Sequence, residues 1–404
     1  MVRRSAPHRS RQKHTLTAAT FLGGSGAAVD FLLPLFAGAA IGLTPSQIGL
    51  LLALEVAASF AMRPVAGSLA DRFERRGIAA AGALLYGLSC AGYAMTPEVT
   101  GAYVAATVGG IGGALLWVAL RAMIGERMAE DSGSFARLAV AEEGGSWAVF
   151  VPILALVGVL GYETVFFLLA GLSLIGAIAL LTAPRLSQIT SRTLIDPGAE
   201  GDEASRSEAG LLRRLSPMLL TVALTMTAEG LISLLLLLHL QQEFALDPWQ
   251  IGLVFLPGGI VMGVLPPFLH GLVRRYGRTR VLALASIASA GFAFSLAFAP
   301  NPIVIAACWI LAGAAWAVVI PEHQAVIAEA SGEISLGRGL GWYEAAALLG
   351  ALLGTGAAGI LYEHGSWRIA CLVAATVILA GAVLVPAALR ALGVTQHPQR
   401  VDGQ

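Results

Sequence analysis

Three acidic residues stand inside long apolar runs of this sequence, where a charge is difficult to accommodate. Asp30, Glu55 and Glu229 each lie well within a run of mainly hydrophobic residues. A carboxylate at the centre of a bilayer costs about 2.5–3.5 kcal/mol on insertion scales, so each one calls for a reason. A carboxyl group in such a place can exchange protons or pair with a cation. We predict that these three residues bind protons or substrate; for each, the alternative is a hydrogen bond within the bundle.

The runs around these acids indicate a polytopic membrane protein. The sequence is 57% hydrophobic with a mean hydropathy of +0.77, which lies outside the range of soluble domains. A helix needs about 20 apolar residues to cross the hydrocarbon layer. By this measure we predict twelve spans, at residues 17–41, 46–68, 78–96, 101–124, 138–160, 163–183, 217–239, 249–271, 280–299, 302–325, 339–361 and 367–390.

The basic residues predict the orientation. Residues 1–16 carry four arginines and one lysine and contain no short apolar core with a cleavage site, which indicates a cytoplasmic amino terminus and no removable signal peptide. With an even number of spans, both termini are then cytoplasmic. Of the 25 Lys and Arg residues, all but Arg368 fall in or beside the loops that this topology makes cytoplasmic. We expect a multi-pass protein of a prokaryotic cytoplasmic (inner) membrane.

A polar stretch divides the chain into two halves of six spans. Residues 185–216 mix both charges with Ser, Gly and Pro, which predicts a flexible cytoplasmic linker. The expected organisation is a tail at 1–16, six-helix bundles at 17–184 and 217–390, and a second tail at 391–404. The predicted fold class is an all-α membrane protein with two pseudo-symmetric bundles.

The two halves resemble each other in sequence. The stretch "LTPSQIGLLL" at 43–52 shares six residues with "LDPWQIGLVF" at 246–255, at an offset of 203 positions. At the same offset, "GSLADRFERRG" at 67–77 pairs with "HGLVRRYGRTR" at 270–280, so that Arg75 corresponds to Arg278. Internal repeats of this kind are typical of transporter folds.

The charged turn after the second span carries a family signature. With these residues the sequence resembles the major facilitator superfamily over about residues 17–390, and the matches to its G-x-L-a-D-R-x-G-R-R pattern are Gly67, Leu69, Ala70, Asp71, Arg72, Arg75 and Arg76. Two positions depart from the pattern: Glu74 replaces its internal glycine, and Arg274 replaces its aspartate in the second half. The resemblance implies two six-helix bundles around a central cavity lined by spans 1, 4, 7 and 10, with alternating access.

The resemblance also implies a gating role for this turn. Asp71 is expected to meet the amino end of span 11 near 339–341, where a helix start carries a partial positive charge. Gly67 and the arginines Arg72, Arg75 and Arg76 are expected to gate with it; the alternative for the arginines is anchoring to acidic groups or lipid phosphates.

The exporter subtype is less well matched. Drug exporters of this family carry a conserved pattern in the fifth span, and the stretch "WAVFVPILAL" at 147–156 keeps only its proline, Pro152. They also carry an arginine in the fourth span, and here Ala106 stands near the corresponding position.

Further charged and aromatic residues are candidates for the gate and for the substrate site. Glu142 and Glu143 lie near the cytoplasmic mouth, where they could form an inner-gate cluster with Arg63 and Arg121, and Glu344 is the counterpart of Glu143 by the repeat. For these acids structural pairing is favoured over proton transfer.

Arg121 could instead bind an anionic substrate. Trp117 and Trp316 could stack on a flat or cationic ligand, or could pack in the core. His323, after Pro321, is expected to be solvated or to relay protons.

The function predicted from these residues is secondary active transport, by proton-coupled efflux of an amphipathic or cationic compound. The alternative in the same class is a proton-coupled importer or facilitator of a metabolite, with Arg121 as an anion anchor. An enzyme or a receptor is disfavoured, because catalytic motifs and a signalling domain are missing from the sequence. The expected partners are a small molecule, protons and lipid, with no nucleic acid. We expect a monomer without a cofactor. We also expect no metal site, since the three cysteines lack metal-ligand spacing.

Overall fold

The computed structural model describes residues 5–43, 45–96, 98–126, 128, 131–184, 200–246, 248–364 and 366–398. Within these ranges the chain is helical and has no strand. The helices are α1 (Ser5–Ala39), α2 (Pro45–Arg72), α3 (Arg75–Met95), α4 (Val99–Gly125), α5 (Ser134–Thr182), α6 (Glu200–Gln242), α7 (Pro248–Val264), α8 (Pro266–Tyr276), α9 (Arg278–Leu296), α10 (Pro302–Ser331), α11 (Leu336–His364) and α12 (Trp367–Leu392).

Two irregular points relate these helices to the twelve predicted spans. α5 covers spans five and six and is interrupted at Gly161, whose φ of 76° is a conformation that glycine adopts easily. α7 and α8 together form the eighth span, and they bend by 58° at the junction before Pro266, a residue without a backbone N–H. Counting α5 as two segments and the bent pair as one gives twelve. By length and composition, nine helices of the described chain could cross a membrane, or ten with the bent pair.

The helices extend beyond the apolar runs that predicted them. α1 begins at Ser5, within the expected tail, and α6 begins at Glu200, so residues 200–216 of the expected linker are helical. Hydropathy locates only the part of a helix that lies in lipid, and Arg, Glu and Ser continue a helix at little cost. Residues 1–4, 185–199 and 399–404 of the expected tails and linker lie outside the described residues.

The chain forms two compact units. The first unit comprises Met1–Arg127, Ala141–Ser207 and Ser331–Glu344, and the second comprises Met128–Val140, Glu208–Ala330 and Ala345–Gln404. Each unit therefore combines most of one predicted bundle with a short segment from the other half of the sequence. The start of α11 packs in the first unit, and the start of α5 packs in the second.

Glycines allow close helix packing at equivalent places in the two units. A Cβ atom on Gly110 of α4 would lie 2.2 Å from the carbonyl oxygen of Glu55 in α2. A Cβ atom on Gly313 of α10 would lie 2.6 Å from the carbonyl oxygen of Gly258 in α7. Gly313 corresponds to Gly110, and Gly258 corresponds to Glu55, at the offset of 203 positions. The sequence repeat therefore corresponds to a repeated backbone contact.

Candidate functional site

Asp30 of α1 and Glu55 of α2 lie in the same part of the first unit. The Asp30 side chain is exposed and that of Glu55 is half-buried. The two carboxyl groups are close enough to interact electrostatically. Tyr86 of α3 is near both of them, and Cys90 of the same helix is near Glu55. Among the described residues neither carboxyl group has an ion pair or a hydrogen bond. One group can therefore hold a proton beside the other, since two like charges that lie close together repel each other.

Glu229 of α6 lines a cavity of the second unit. The cavity lies among α6, α7, α9, α10 and α12, and its volume of about 760 Å³ includes space that is open to solvent. Glu229 is half-buried, and within the described chain its carboxyl group has neither an ion pair nor a hydrogen bond. The α6 residues Thr225, Glu229 and Ile232 share one helix face, because residues three and four apart lie above each other. The acid is therefore held on a rigid helix and remains accessible from the cavity.

Aromatic rings form the wall of this cavity. Trp309 and Trp316 of α10 both line it, two turns apart on one face of the helix. The Trp309 ring meets Phe255 and Phe292 edge-on, at centroid distances of 5.0 and 5.5 Å. A Cβ atom on Gly258 would lie 2.1 Å from the Trp309 ring, so this glycine leaves the space in which the indole sits. The structure thus brings together two of the predicted residues, Glu229 and Trp316, around one cavity.

The signature turn contacts the start of α11 within the first unit. The Asp71 carboxylate accepts hydrogen bonds from the backbone N–H of Gly337 at 2.6 Å and of Arg338 at 3.0 Å. It also accepts one from Arg338 Nε at 3.3 Å. The first N–H groups of a helix have no partner within the helix, and they carry its positive dipole end. The contact lies one and two residues before the range expected from the family resemblance, at the first turn of the same helix.

Close backbone packing accompanies the Asp71 contact. A Cβ atom on Gly67 would lie 2.6 Å from the carbonyl oxygen of Gly337, and one on Gly337 would lie 2.6 Å from that of Gly67. A Cβ atom on Gly341 would lie 2.7 Å from the carbonyl oxygen of Arg63. These distances leave no room for a side chain, so the requirement for glycine at the head of the signature follows from the approach of α2 to α11.

The three signature arginines have three different environments. Arg75 is buried, and it pairs with Glu126 at 3.2 Å and with Asp71 at 3.6 Å. Arg76 donates to the carbonyl oxygens of Leu181 and Ala183, the second at 2.6 Å, at the carboxyl end of α5, where a cation is favoured. Arg72 is exposed and has no partner among the described residues.

A second charged group of the first unit joins α2, α4, α5 and α11. Glu344 forms ion pairs with Arg63 and, at 3.0 Å, with Arg121 Nε. Arg121 also pairs with Glu142 at 3.2 Å. We name these two arginines and two glutamates the four-residue charge cluster. Their side chains are 8–20% exposed, and their formal charges sum to zero.

The remaining predicted residues lie beside this cluster. The Arg121 guanidinium sits over the Trp117 ring, 5.1 Å from its centroid, so Trp117 already holds a cation from its own chain. Glu143 is half-buried, one position along α5 from Glu142, and points about 100° away from it on the helix. Trp117 and Trp316 lie in different units.

Sequence reasoning did not find a buried charged group in the second unit. Arg278 is 1% exposed, and it donates to Glu322 at 3.1 Å and to Glu329 at 2.6 Å. His270 Nδ1 lies 2.9 Å from Glu322, and its Nε2 lies 3.0 Å from Ser132 Oγ. His323, which was expected to be solvated or to relay protons, is instead only 1% exposed.

The chain after α12 packs onto this buried group. Glu329 accepts hydrogen bonds from the N–H and the hydroxyl of Thr395, at 2.9 and 3.0 Å. Arg278 donates to the carbonyl oxygen of Thr395 at 3.0 Å, and its N–H donates to that of Gln396 at 2.9 Å. The segment 394–397 is therefore part of the second unit.

One signal in the sequence points to two residues of this group. Glu126 and Glu329 are separated by the offset of 203, as are their partners Arg75 and Arg278. The pair Arg75–Glu126 in the first unit and the pair Arg278–Glu329 in the second are therefore equivalent ion pairs. No group of three or more His, Cys, Asp or Glu residues in the described chain is arranged to hold a metal ion.

Comparison with known proteins agrees with the fold. The sequence profile described as Major Facilitator Superfamily matches residues 15–222 and again residues 218–402. No curated protein matches the sequence. Among solved structures, the human organic anion transporter MFSD10 (TETRAN) has a TM-score of 0.78 and 16% identity, covering 94% of this chain and 99% of that one.

Two further solved structures are similar over most of the chain. The proton:xylose symporter XylE, bound to 6-bromo-6-deoxy-D-glucose, has a TM-score of 0.77 and 16% identity, with 95% of this chain and 96% of that chain covered. The transporter FucP in its outward conformation has a TM-score of 0.77 and 14% identity, with 95% and 99% covered. At these identities the similarity shows the fold. Because the profile matches nearly all of the sequence, this chain belongs to the Major Facilitator Superfamily of multi-pass membrane transporters, which carry small molecules and are not enzymes.

Proposed function

We propose that this protein is a proton-coupled exporter of an amphipathic or cationic small molecule. We place it in the cytoplasmic membrane of a prokaryote, as a monomer with both termini in the cytoplasm. The observation that carries the proposal is the accessible carboxyl group of Glu229, which has no partner in the described chain and lines a cavity with two tryptophans. An unpaired acid in a membrane-spanning helix is costly, and a proton or a cation relieves that cost.

Competition for one carboxyl group supports coupling. When Glu229 holds a proton, a cation gains nothing from it; when the proton leaves, the carboxylate attracts the cation. Transport then requires that each ligand favours a different orientation of the protein, because only differential binding shifts a conformational equilibrium. Each proton that enters across the full membrane field supplies about 2.3 kcal/mol per 100 mV.

The two acids of the first unit are proposed as a second proton site. Asp30 and Glu55 interact with each other and, within the described chain, have no basic partner. Protonation of one relieves the repulsion between them. We expect this pair to bind protons without contacting the substrate that Glu229 binds.

The contacts around the start of α11 are proposed as the inner gate. Asp71 binds two backbone N–H groups there, and Glu344 links the same helix to Arg63 and Arg121. Release of α11 from α2 and α4 must break all of these contacts together. A polar set of this kind can form and separate reversibly, because each group is also well solvated by water once it is exposed.

The proposal is tested by flux in proteoliposomes. Protein is reconstituted with a fluorescent aromatic cation inside or outside, and an inward or outward pH gradient is imposed. We expect the cation to move against the proton flux, and we expect both Asp30→Asn and Glu229→Gln to abolish the gradient-driven component. Glu243→Gln, at an exposed position just beyond α6, is the matched control and should transport as wild type.

The direction of movement distinguishes the alternatives. Cation movement along the proton flux would indicate an importer. Gradient-driven flux of an organic anion, lost in Arg121→Gln, would favour the anion-anchor interpretation. That interpretation is the weaker one, because Arg121 already contacts Glu142, Glu344 and the Trp117 ring. Wild-type coupling in Asp30→Asn would remove Asp30 from the proton path.

A further inference from the structure

The charge inventory of the second-unit cavity restricts its ligand. Four other helices contribute lining residues, and none of these is ionisable: Met262 from α7; Ser286, Ser289 and Phe292 from α9; Trp309, Ala312, Gly313, Trp316 and Val319 from α10; and Val377, Ile378 and Gly381 from α12. From α6, Glu229 alone among the lining residues can titrate. The cavity therefore presents one negative charge or, after proton uptake, none.

A single charge in a poorly solvated cavity favours a ligand with one opposite charge. A monocation beside the Glu229 carboxylate leaves the site neutral. A dication leaves one positive charge without a partner, which is unfavourable away from water. An anion meets a like charge and, among the lining residues, no basic group.

The polar lining is too sparse for a highly hydroxylated ligand. The hydroxyl groups of Thr225 and Ser286 donate to carbonyl oxygens of their own helices, both at 2.9 Å. Ser233 and Ser289 are the other hydroxyl residues of the lining. A sugar leaves hydroxyl groups unpaired when it enters a cavity with so few partners, and each unpaired group weakens binding. The remaining lining is aliphatic and aromatic and includes the indole rings of Trp309 and Trp316, a residue type that binds cations and flat rings.

We propose that the Glu229 cavity binds one aromatic organic monocation in place of one proton, and that it discriminates against dications, anions and sugars. This inference rests on the proposed function and specifies its substrate class. It also specifies a stoichiometry for this site, because one carboxyl group releases one proton when one cation binds.

The test is equilibrium binding to the purified full-length protein in detergent, which does not depend on transport. Ethidium and propidium share the same fluorescent ring system but carry one and two positive charges. We expect ethidium to bind at least about tenfold more tightly than propidium. We expect tetraphenylphosphonium to displace ethidium, and we expect tetraphenylborate, which is similar in shape and opposite in charge, and xylose not to displace it.

Variants assign the binding to the cavity. Ethidium affinity in the wild type should rise with pH, because a proton and the cation compete for the Glu229 carboxyl group. Glu229→Gln should weaken ethidium binding by about 10–100-fold and remove its pH dependence. Trp316→Leu should weaken it by about tenfold without changing the pH dependence. Glu243→Gln is the control and should match the wild type.

The outcomes separate this inference from the proposed function. Equal affinity for ethidium and propidium, displacement by tetraphenylborate or xylose, or unchanged pH-dependent binding in Glu229→Gln overturns the inference without involving transport. If monocation selectivity is found but proteoliposomes show no gradient-driven flux, the cavity assignment stands and the proton-coupled exporter is wrong. If flux is driven by the gradient but binding has no charge preference, the exporter stands and this inference is wrong.

Discussion

The four-residue charge cluster gives the most quantitative prediction. Glu344 is the acid that Arg63 and Arg121 share, and its side chain is 8% exposed. Glu344→Gln leaves two guanidinium groups facing Glu142 alone, with one positive charge in excess. Arg63 Nε and Arg121 Nη1 already lack a hydrogen-bond partner in the described chain, so losing the carboxylate adds to the unsatisfied donors of the cluster.

The expected loss can be worked out from these contacts. Removing one partner of a buried ion pair costs about 3–5 kcal/mol. For a unit of about 200 residues, each kcal/mol corresponds to about 2–4 °C in the midpoint of thermal unfolding, so Glu344→Gln should lower it by about 6–20 °C. Arg63→Gln should cost less, because Glu344 keeps its contact with Arg121 at 3.0 Å.

A double variant tests whether charge imbalance is the cause of this loss of stability. Arg63→Gln together with Glu344→Gln leaves Arg121 and Glu142, so the formal charges sum to zero again. We expect it to unfold at a higher temperature than Glu344→Gln, with a coupling free energy of about 1–3 kcal/mol. Unfolding is followed in detergent by tryptophan fluorescence, with Glu243→Gln as the control. If the losses of stability in the two single variants simply add in the double variant, the coupling free energy is zero. That result would refute charge balance as the cause.

Three more predictions follow from the contacts described above. Gly67→Val should destabilise the protein by about 1–3 kcal/mol, because its Cβ meets the Gly337 carbonyl oxygen at 2.6 Å; the measurement is thermal unfolding. Asp71→Asn removes a charged acceptor worth about 1.5–3 kcal/mol, so hydrogen exchange at the Gly337 amide should accelerate by about 10–150-fold, and unchanged exchange would contradict the assigned contact. Arg278→Met leaves Glu329 without its cation and should lower the unfolding midpoint more than Arg280→Met, at an exposed position on the same helix.

The apolar runs predicted the spans well because the bilayer imposes a length and a composition on them. The sequence did not reveal where helices continue past the membrane, as α6 does from Glu200, since that depends on helix propensity rather than hydropathy. The interruption at Gly161 falls at the predicted boundary of spans five and six, but its left-handed conformation depends on the local geometry.

The candidate site was predictable in part. The cost of a buried carboxylate singled out Glu229 from the sequence, and the regular helix placed it on the same face as Thr225. The partners of Glu322 lie 44 and 52 residues away on other helices, and no spacing rule reaches that far. Only the repeat offset connects Arg278 to Arg75, and it identifies an equivalent residue without identifying its ion pair.

The composition of the two units has a consequence for experiments that divide the chain. A cut between Thr182 and Glu200 yields two fragments of six spans each, yet the first fragment lacks Ser331–Glu344 of its unit and the second lacks Met128–Val140 of its own. Neither fragment then contains all the residues of its unit, so we expect each to fold incompletely when it is produced alone. Functional reassembly should require synthesis of both fragments in the same cell, and a chimera that exchanges whole sequence halves with a related transporter inherits two mismatched junctions.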